Sequence, residues 1–414
     1  MHELVEGAAR LLVPRVGPAR GPASSRTPVF HNPAMAPARD LCTLFVAAAG
    51  GALGRRLRAV DGLAGTGVRA IRLALETGLD FEALVANDRS REAHELILRN
   101  IALNGLGGLV SASRSDLRAL LYQERFDYID IDPFGSPAPF LQPAAASVRH
   151  GGLIGLTATD TGPLCGTNPR TCLRRYQALS ARSEYMHETA ARILIGFCVR
   201  SAAGIDIALR PVLVHSGDHY IRVYLKALRS PARAAEVLGE LGYVGPGREM
   251  TPYIPEPGRF AAPFHVPGGP GAGAGGGHGG ERGTEFAGPL WLGELFDRGL
   301  LDGVLEAFRK RSRGGPPLAR EQQLAKTLSA MDEEAGMPPF FYELDAVVRG
   351  SRTGPPGLSA MLEALRAAGF RASRTHFCPT GFRTDAPPEE VRRLAVEAAL
   401  RRRGDMGRGV LRGH

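Results

Sequence analysis

The sequence has little lysine, no close pair of cysteines and no long apolar run. Its only lysines are Lys226, Lys310 and Lys326, so arginine supplies the other 48 of the 51 basic side chains. The five cysteines include no Cys-x-x-Cys pair, which gives no indication of a disulfide framework or a metal site. No apolar segment approaches the ~20 residues that a transmembrane helix needs, and Glu3 and Glu6 interrupt any signal peptide. We therefore expect a soluble, cytoplasmic protein that associates with no membrane and binds no metal ion.

The chain is long and basic. Its 414 residues exceed one typical domain and suit two, and its 44% hydrophobic content is ordinary for a globular protein. A net charge of +9 and a pI near 9.7 indicate an anionic partner. Arginine binds phosphate through two parallel hydrogen bonds and stacks on bases. A genome rich in G and C would produce the same arginine bias, so both explanations stay open at this point.

Strands alternate with helices through the first half of the chain. Residues 3–13 predict a strand or hairpin edge, and a helix is expected to open at Asp40 and to stop at Gly50. Five strands should follow, each ending in or near an acidic residue; these are Asp61, Asp88, Asp116, Asp132 and Asp160. A helix over 91–103 is expected between the second and third of these strands.

Helices at about 171–182 and 188–199 come next, and then two strands, 206–215 and 219–228, that read as an antiparallel hairpin. Such a series predicts an α/β fold. Its mainly parallel sheet is covered on both faces and has the antiparallel hairpin at one edge.

The segment FDYIDIDPFGSPAPF, residues 126–140, carries the most specific chemistry. It begins as a strand and breaks at Pro133, because proline cannot donate to a sheet ladder. The break puts Asp132, Phe134 and Gly135 just past the carboxyl end of a strand, where open α/β sheets keep their ligands. A carboxylate, an aromatic ring and bare backbone suit a flat, polar, aromatic substrate. The alternative is an ordinary turn, with Asp132 capping the next helix and Phe134 in the core.

The glycine turn from Gly62 to Gly67 permits two interpretations. Gly65-x-Gly67-x-x-Ala70 fits the dinucleotide fingerprint, which favours NAD and a dehydrogenase. The longer pattern, a hydrophobic residue followed by Asp61-Gly62-x-x-x-Thr66-Gly67, has acids ending the next two strands. It resembles the S-adenosylmethionine-dependent methyltransferases, which implies a Rossmann-like fold and S-adenosyl-L-methionine as cofactor.

Longer segments resemble one family in particular. FHNPAMAPARD, DGLAGTGVRAIR, ANDRSREAHELILRN, DIDPFGSP and ASRTHFCPTGFRTDAP are similar to segments of the tRNA (guanine-26, N2)-dimethyltransferase family. They occur in that family's order and cover essentially the whole chain. The resemblance implies transfer of one or two methyl groups from S-adenosyl-L-methionine to N2 of guanine 26 of tRNA. The alternatives are another tRNA or rRNA position, an NAD-dependent dehydrogenase, and a non-catalytic tRNA-binding protein.

The resemblance also implies the site residues. Asp132 would orient the guanine amine and take its proton, the Pro133 carbonyl would accept a second hydrogen bond, and Phe134 would stack on the base. Phe30 would be the opposing aromatic plate. The cofactor would be held at the ribose by Asp88, at the adenine edge by Asp116 and Leu117, and elsewhere by Arg39, Asp61, Gly65, Gly67 and Arg69.

The second half should bind tRNA. We expect a methyltransferase domain over 1–230 and a smaller α+β tRNA-binding domain over 231–414, with a Gly/Pro-rich linker or loop at about 245–289. The family often carries cysteine pairs in that region; this chain has none, so no metal is expected.

Helices are predicted at 289–312 and 318–334, and a helix–helix–strand unit like a winged helix precedes a last helix at 388–403. Arg309-Lys310-Arg311 and Arg401-Arg402-Arg403 fit phosphate contacts and a solvated face equally well.

Overall fold

The structure, a computed structural model, describes residues 1–14, 29, 31–217, 219–245, 248, 250–252, 286–351 and 353–410. Phe30, Asp218 and most of the predicted linker at 245–289 lie outside these ranges. The strands are β1 His2–Glu6, β2 Ala9–Val13, β3 Leu57–Asp61, β4 Phe81–Asn87, β5 Val110–Ser113, β6 Phe126–Ile131, β7 Val148–Ala158, β8 Ile207–Gly217, β9 Tyr220–Arg229, β10 Leu241–Val244, β11 Met250–Pro252, β12 Ala287–Trp291, β13 Tyr342–Glu343, β14 Ala372–Arg374 and β15 Gly381–Thr384.

A 3-10 turn, Pro33–Met35, precedes the α-helices of the described residues. They are α1 Ala36–Ala52, α2 Val68–Glu76, α3 Arg91–Leu103, α4 Leu117–Gln123, α5 Ala138–Ser147, α6 Thr161–Leu164, α7 Pro169–Tyr176, α8 Met186–Ala203, α9 Pro231–Leu238, α10 Arg298–Ser312, α11 Glu321–Glu334, α12 Leu344–Val347, α13 Leu358–Ala367 and α14 Pro388–Val410. None of the helices in the described ranges is long and apolar enough to cross a membrane.

A seven-stranded sheet in the order β5-β4-β3-β6-β7-β9-β8 forms the centre of the first half. The strands from β3 to β7 are parallel, whereas β9 runs antiparallel to both β7 and β8. The predicted Rossmann-like fold with an antiparallel edge hairpin is therefore confirmed. Successive strands run outward from β3 in one direction and from β6 in the other. The crevice at the carboxyl ends of β3 and β6 is thus the switch point at which such sheets bind ligands.

Burial explains why these segments are strands. Every residue of β6 is buried, as expected for a central parallel strand covered on both faces. Helix α3 begins where predicted, because the Ser90 side chain accepts a hydrogen bond from the Ala93 amide and caps the first turn. The N-terminal hairpin of β1 and β2 is also confirmed.

Several predicted helices have other bounds. Helix α1 begins at Ala36 instead of Asp40, because proline is tolerated in a first turn and the Asp40 carboxylate binds Arg72 instead of capping. Helix α7 begins at Pro169 and ends at Tyr176, since the next residue adopts a left-handed φ of 51°. The helix predicted over 289–312 is wrong in its first part, where β12 pairs with β10; α10 starts only after Asp297.

The largest hydrophobic core joins both halves of the chain. It runs from β2 and the central sheet through β12, α10 and α11 to Phe377. A second, smaller core lies within residues 344–395 and is covered by α12, α13 and α14. The three-stranded sheet β13-β15-β14 completes this α+β unit. The predicted boundary at 231 and the winged-helix interpretation stay predictions.

Candidate active site

The glycine turn after β3 is held by backbone contacts at the switch point. The Gly62 amide donates to the Asp130 carbonyl at 2.9 Å, and Asn87 Nδ2 donates to the Gly62 carbonyl at 3.0 Å. A Cβ at position 62 would lie 2.6 Å from the Leu117 side chain and 2.9 Å from the Asp130 carbonyl oxygen, so only glycine fits. Gly67 ends the turn with φ 78° and leads directly into α2. The turn therefore presents a fixed backbone surface beside the end of β6.

Asp88 lies against this turn. Its Oδ2 accepts a hydrogen bond from the Gly65 amide at 3.0 Å, and its Oδ1 accepts one from the Ser90 amide at 2.9 Å. The structure thus brings together the glycine turn and the acid at the end of the second strand of the motif, as the sequence predicted. Each carboxylate oxygen has a second lone pair for a ligand hydroxyl.

Asp116 and Leu117 follow β5, on the same side of the glycine turn as Asp88. Asp116 caps α4 by accepting from the Arg118 amide at 2.8 Å, and it forms an ion pair with the Arg118 guanidinium at 2.6 Å. Hydrogen bonds from Arg118 lower the pKa of the Asp116 carboxyl to about 2. The Leu117 side chain covers Gly62. These two residues therefore border the turn and are placed together with it.

Arg69 connects the turn to the predicted catalytic carboxylate. Its Nε lies 3.1 Å from Oδ1 of Asp130, and its Nη2 donates to Oδ2 of Asp132. The guanidinium is almost fully buried, and its Nη1 has no hydrogen-bond partner among the residues that the structure describes. On Asp132 the other oxygen, Oδ1, likewise receives no hydrogen bond from these residues. One buried donor and one acceptor therefore remain available to ligands.

Asp61 is buried beside this cluster. Burial raises the pKa of its carboxyl to about 7, the neighbouring Asp130 and Asp132 add to the increase, and Arg69 opposes it. The Asp61 carboxylate also accepts a hydrogen bond from the Ala70 backbone. The structure thus supports a role for Asp61 in holding the turn to the first residues of α2.

A fully buried ion pair lies beneath the cluster. Although burial favours the neutral form, Arg222 and Arg69 keep the pKa of Asp130 below its ordinary value. Arg222 pairs with Asp130 and donates to Thr157 Oγ1 at 2.7 Å and to Tyr224 Oη at 2.8 Å. This network anchors the floor of the crevice to β7 and β9.

Sequence reasoning did not identify the ion pair. The available signal was a charged residue flanked on both sides by β-branched apolar residues of a strand, between Ile129 and Ile131 and again between Ile221 and Val223.

The Asp-Pro-Phe-Gly turn is clamped to the end of β7. The Gly135 amide donates to Thr159 Oγ1 at 2.7 Å, and the Thr159 amide donates back to the Gly135 carbonyl at 2.9 Å. Phe134 is 58% exposed, and the cap position of α5 is Pro137. The alternative interpretation, with Phe134 in the core and Asp132 as a helix cap, is therefore wrong.

One predicted residue, Arg39, is not brought into this cluster. Phe30 lies outside the described residues. Arg39 is buried, and within the described part of the chain its hydrogen bonds run to Glu6 at 2.6 Å and to the Asn32 carbonyl at 3.1 Å, not to the carboxylates of β6. It orders the segment that leads into α1.

The residues present fit S-adenosyl-L-methionine. The glycine turn admits close approach of a ligand, Asp88 offers acceptors for hydroxyl groups, and the unpartnered Nη1 of Arg69 suits a carboxylate. Over the described ranges, no group of three His, Cys, Asp or Glu side chains could hold a metal ion.

Comparisons with known proteins converge on one family. The family model described as TRM: N2,N2-dimethylguanosine tRNA methyltransferase matches residues 7–395. The tRNA (guanine(26)-N(2))-dimethyltransferase of Methanothermobacter thermautotrophicus is 37% identical over 368 residues, covering 89% of this chain and 92% of its own. The Methanosarcina mazei protein of the same name is 33% identical over 402 residues, covering 95% and 98%. The solved structure of Trm1 from Pyrococcus horikoshii with S-adenosyl-L-methionine has a TM-score of 0.78 at 31% identity and covers 95% of this chain and 99% of that one.

Proposed function

The chain belongs to the N2,N2-dimethylguanosine tRNA methyltransferase family, and from this premise we propose that it methylates the exocyclic N2 of guanine 26 of tRNA once or twice. The methyl donor is S-adenosyl-L-methionine. The observation that carries the proposal is the clamped Asp-Pro-Phe-Gly turn beside the glycine turn. Its phenylalanine is exposed, and only one oxygen of its carboxylate is bound, by Arg69. Family membership replaces the NAD-dependent dehydrogenase and the non-catalytic tRNA-binding protein as interpretations of the same residues.

Residues around the glycine turn would hold the cofactor. We assign the ribose hydroxyls to Asp88, the adenine edge to Asp116 and the Leu117 amide, and the methionine carboxylate to Arg69. Gly65 and Gly67 supply the close backbone surface, and Asp61 supports it. When bound, S-adenosyl-L-methionine supplies a methyl group that its sulfonium already activates.

The protein must make a poor nucleophile reactive. The lone pair of the guanine amine is delocalised into the ring, so the amine needs acceptors that hold its hydrogens and turn the lone pair toward the methyl group. Asp132 Oδ1 would accept one N–H and take the proton, and the Pro133 carbonyl would accept the other. Because Arg69 binds Oδ2, the carboxylate has one fixed orientation and leaves Oδ1 for the amine. Much of the catalysis is therefore alignment.

Phe134 would bind the base face. In folded tRNA the target base is stacked, so it must be turned out of the stack to reach this turn. Phe134 is exposed at the crevice and offers one stacking surface. We keep Phe30 as the opposing plate on the basis of the family resemblance alone.

A methylation assay with nucleotide mapping tests the proposed function. The protein is incubated with an unmodified tRNA transcript and S-adenosyl-L-methionine labelled in the methyl group, with Asp132→Ala as the control. We expect label on N2 of guanine 26 with the wild-type chain and almost none with the variant. Label at another guanine would move the activity to another position, and an unlabelled tRNA would refute the proposal.

We further propose that residues 231–414 contribute much of the affinity for tRNA and that the protein works in the cytoplasm, where its substrate is found. Arg309 and Lys310 are exposed on α10, which supports phosphate contact there. Arg311, from the same charge run, is buried and pairs with Glu76 at 2.6 Å, which makes it structural. The double variant Arg309→Glu/Lys310→Glu should bind tRNA more weakly with unchanged cofactor affinity. Unchanged tRNA affinity would remove α10 from the interface.

A further inference from the structure

The segment between β7 and α8 has a one-sided charge. Residues 161–183 contain four arginines and no aspartate or glutamate; the arginines are Arg170, Arg174, Arg175 and Arg182. All four are exposed. The acids that flank this range, Asp160 and Glu184, are paired with Arg175 and Arg248 respectively. A surface of this kind attracts anions and repels cations over several ångströms.

Hydrogen bonds join this segment to the catalytic turn. Asp160, directly after Thr159, accepts from Tyr176 Oη at 2.6 Å and from Arg175 Nη1 at 2.8 Å. Tyr176 is also hydrogen-bonded to the Ser136 side chain. Ser136 is two residues from Phe134, and Thr159 is the clamp of the same turn. Tyr176 therefore ties α7 to Ser136, directly after the Asp-Pro-Phe-Gly turn, and to Asp160, directly after Thr159. These contacts place α7 next to the carboxyl ends of β6 and β7.

The two faces of α7 differ in character. Cys172 and Tyr176, four residues apart, face the protein and are buried. Arg170, Leu173 and Arg174 are spaced three and four residues apart, share the opposite face and are exposed, Leu173 by 52%. No carboxylate of the described residues pairs with Arg174. An arginine without a carboxylate partner is available to bind an anion, and the exposed leucine beside it offers an apolar contact to the same ligand.

We propose that the exposed face of α7 binds the tRNA backbone next to the target guanine, with Arg174 on a phosphate and Leu173 against the neighbouring sugar. This inference rests on the proposed function and extends it, because it adds a phosphate-binding surface within the methyltransferase half. A base turned out of its stack leaves a distorted strand, and contacts to the flanking phosphates hold that strand at the crevice. Arg174 is a binding residue in this account, not a catalytic one.

Salt-dependent binding of an unmodified tRNA transcript tests the role of Arg174. Arg174→Ala should raise the Kd for tRNA roughly tenfold, and it should lower the slope of log Kd against log salt concentration by about 1. Arg174→Lys should keep most of the affinity, and Arg174→Glu should bind more weakly than Arg174→Ala. Cofactor affinity, measured by calorimetry, should not change, which also verifies folding.

Arg56→Ala is the matched control. Arg56 is exposed and directly precedes β3, at the amino ends of the parallel strands and therefore opposite the crevice. It pairs with Asp80. It should leave the Kd and the salt slope as in the wild-type chain. Single-turnover methyl transfer at saturating tRNA should be nearly normal for Arg174→Ala, while subsaturating tRNA should reveal the loss.

Two results would overturn the inference. One is an Arg174→Ala protein with the wild-type Kd and salt slope; the other is an equal effect from Arg56→Ala, which would mean that general charge, not this surface, binds the RNA. The proposed function fails separately. It fails if the wild-type chain does not methylate tRNA. If the wild-type chain is active and Arg174→Ala has the wild-type Kd and salt slope, only the assignment of α7 is contradicted.

Discussion

At the scale of single residues, the residues that line the crevice could be predicted from the sequence, whereas the buried ion pair beneath them could not. The positions of Asp132, Phe134 and Asp88 at the carboxyl ends of β6 and β4 could be predicted because each follows a recognisable strand end. Asp130 and Arg222 could not be paired, because 92 residues separate them and only the strand order β6-β7-β9 brings them together. Arg39 shows the converse: its motif position indicated a ligand contact, whereas its observed partner is Glu6.

Asp88 should affect cofactor binding selectively. Asp88→Ala removes the acceptor that meets the Gly65 amide and, in this account, the ribose hydroxyls. Affinity for S-adenosyl-L-methionine should fall by about 1.5 to 3 kcal/mol for each charge-assisted hydrogen bond lost, while tRNA affinity hardly changes. Calorimetric titration of both ligands measures this. Unaltered cofactor affinity would remove Asp88 from the site.

The buried ion pair should behave as a coupled unit. Arg222→Met leaves Asp130 fully buried with Arg69 as its remaining cationic partner, so the free energy of unfolding should fall by roughly 3 kcal/mol. Adding Asp130→Asn removes the uncompensated charge and should recover part of that loss. Urea unfolding of both single variants and the double variant gives the coupling energy. Strictly additive losses would show that the two residues act independently.

At the scale of secondary structure elements, the sequence predicted the bounds of an element correctly where interactions within that element determine them. The bounds of α3 were predicted because its cap lies within the same few residues. The strand β12 was missed because its partner, β10, lies about 50 residues earlier and the segment is apolar in a pattern that a helix also permits. Helix α10 starts only where Asp297 accepts a hydrogen bond from the Leu300 amide at 3.0 Å.

The clamp on the catalytic turn is the element whose contribution is easiest to isolate. Thr159→Val keeps the shape of the side chain and removes the oxygen that accepts from the Gly135 amide. The free energy of unfolding should fall by about 1 kcal/mol. Single-turnover methyl transfer should also slow, because Asp132 and Phe134 are held less firmly in position. Thr159→Ser retains the hydroxyl and should behave like the wild-type chain. A Thr159→Val enzyme of normal rate would mean that the turn needs no clamp.

At the scale of the whole molecule, the second half of the chain packs tightly against the first half. Arg311 of α10 donates to Thr43 Oγ1 at 3.0 Å, and the Ala319 amide donates to Asp40 Oδ2 at 2.8 Å. Farther along the chain, Arg383 pairs with Glu188 of α8 at 2.9 Å. Buried ions that lose a partner are costly. The length of the chain predicted two domains but could not predict that buried side chains of both halves belong to one core.

Removal of the residues after Phe286 should therefore unfold the protein and not merely weaken its RNA binding. The deletion takes buried apolar side chains away from the main core; among them are Leu301, Val304, Leu324, Leu328 and Met331. At about 1.5 to 3 kcal/mol for each buried side chain, the loss is comparable to the whole stability of a typical domain, about 5 to 15 kcal/mol. Circular dichroism and thermal unfolding of the truncated chain would detect this. A cooperative, cofactor-binding fragment would contradict the shared core.

The central claim is that Asp132 orients the guanine amine and takes its proton, and single-turnover methyl transfer at saturating cofactor and tRNA tests it most directly. Asp132→Ala should bind both ligands and lose about 10²- to 10⁴-fold in rate, the usual contribution of a positioned general base. Asp132→Asn should be nearly as slow, because the amide keeps the shape but has little basicity. A rate near that of the wild-type chain in Asp132→Ala, with folding and binding intact, would contradict the account and reduce Asp-Pro-Phe-Gly to a turn.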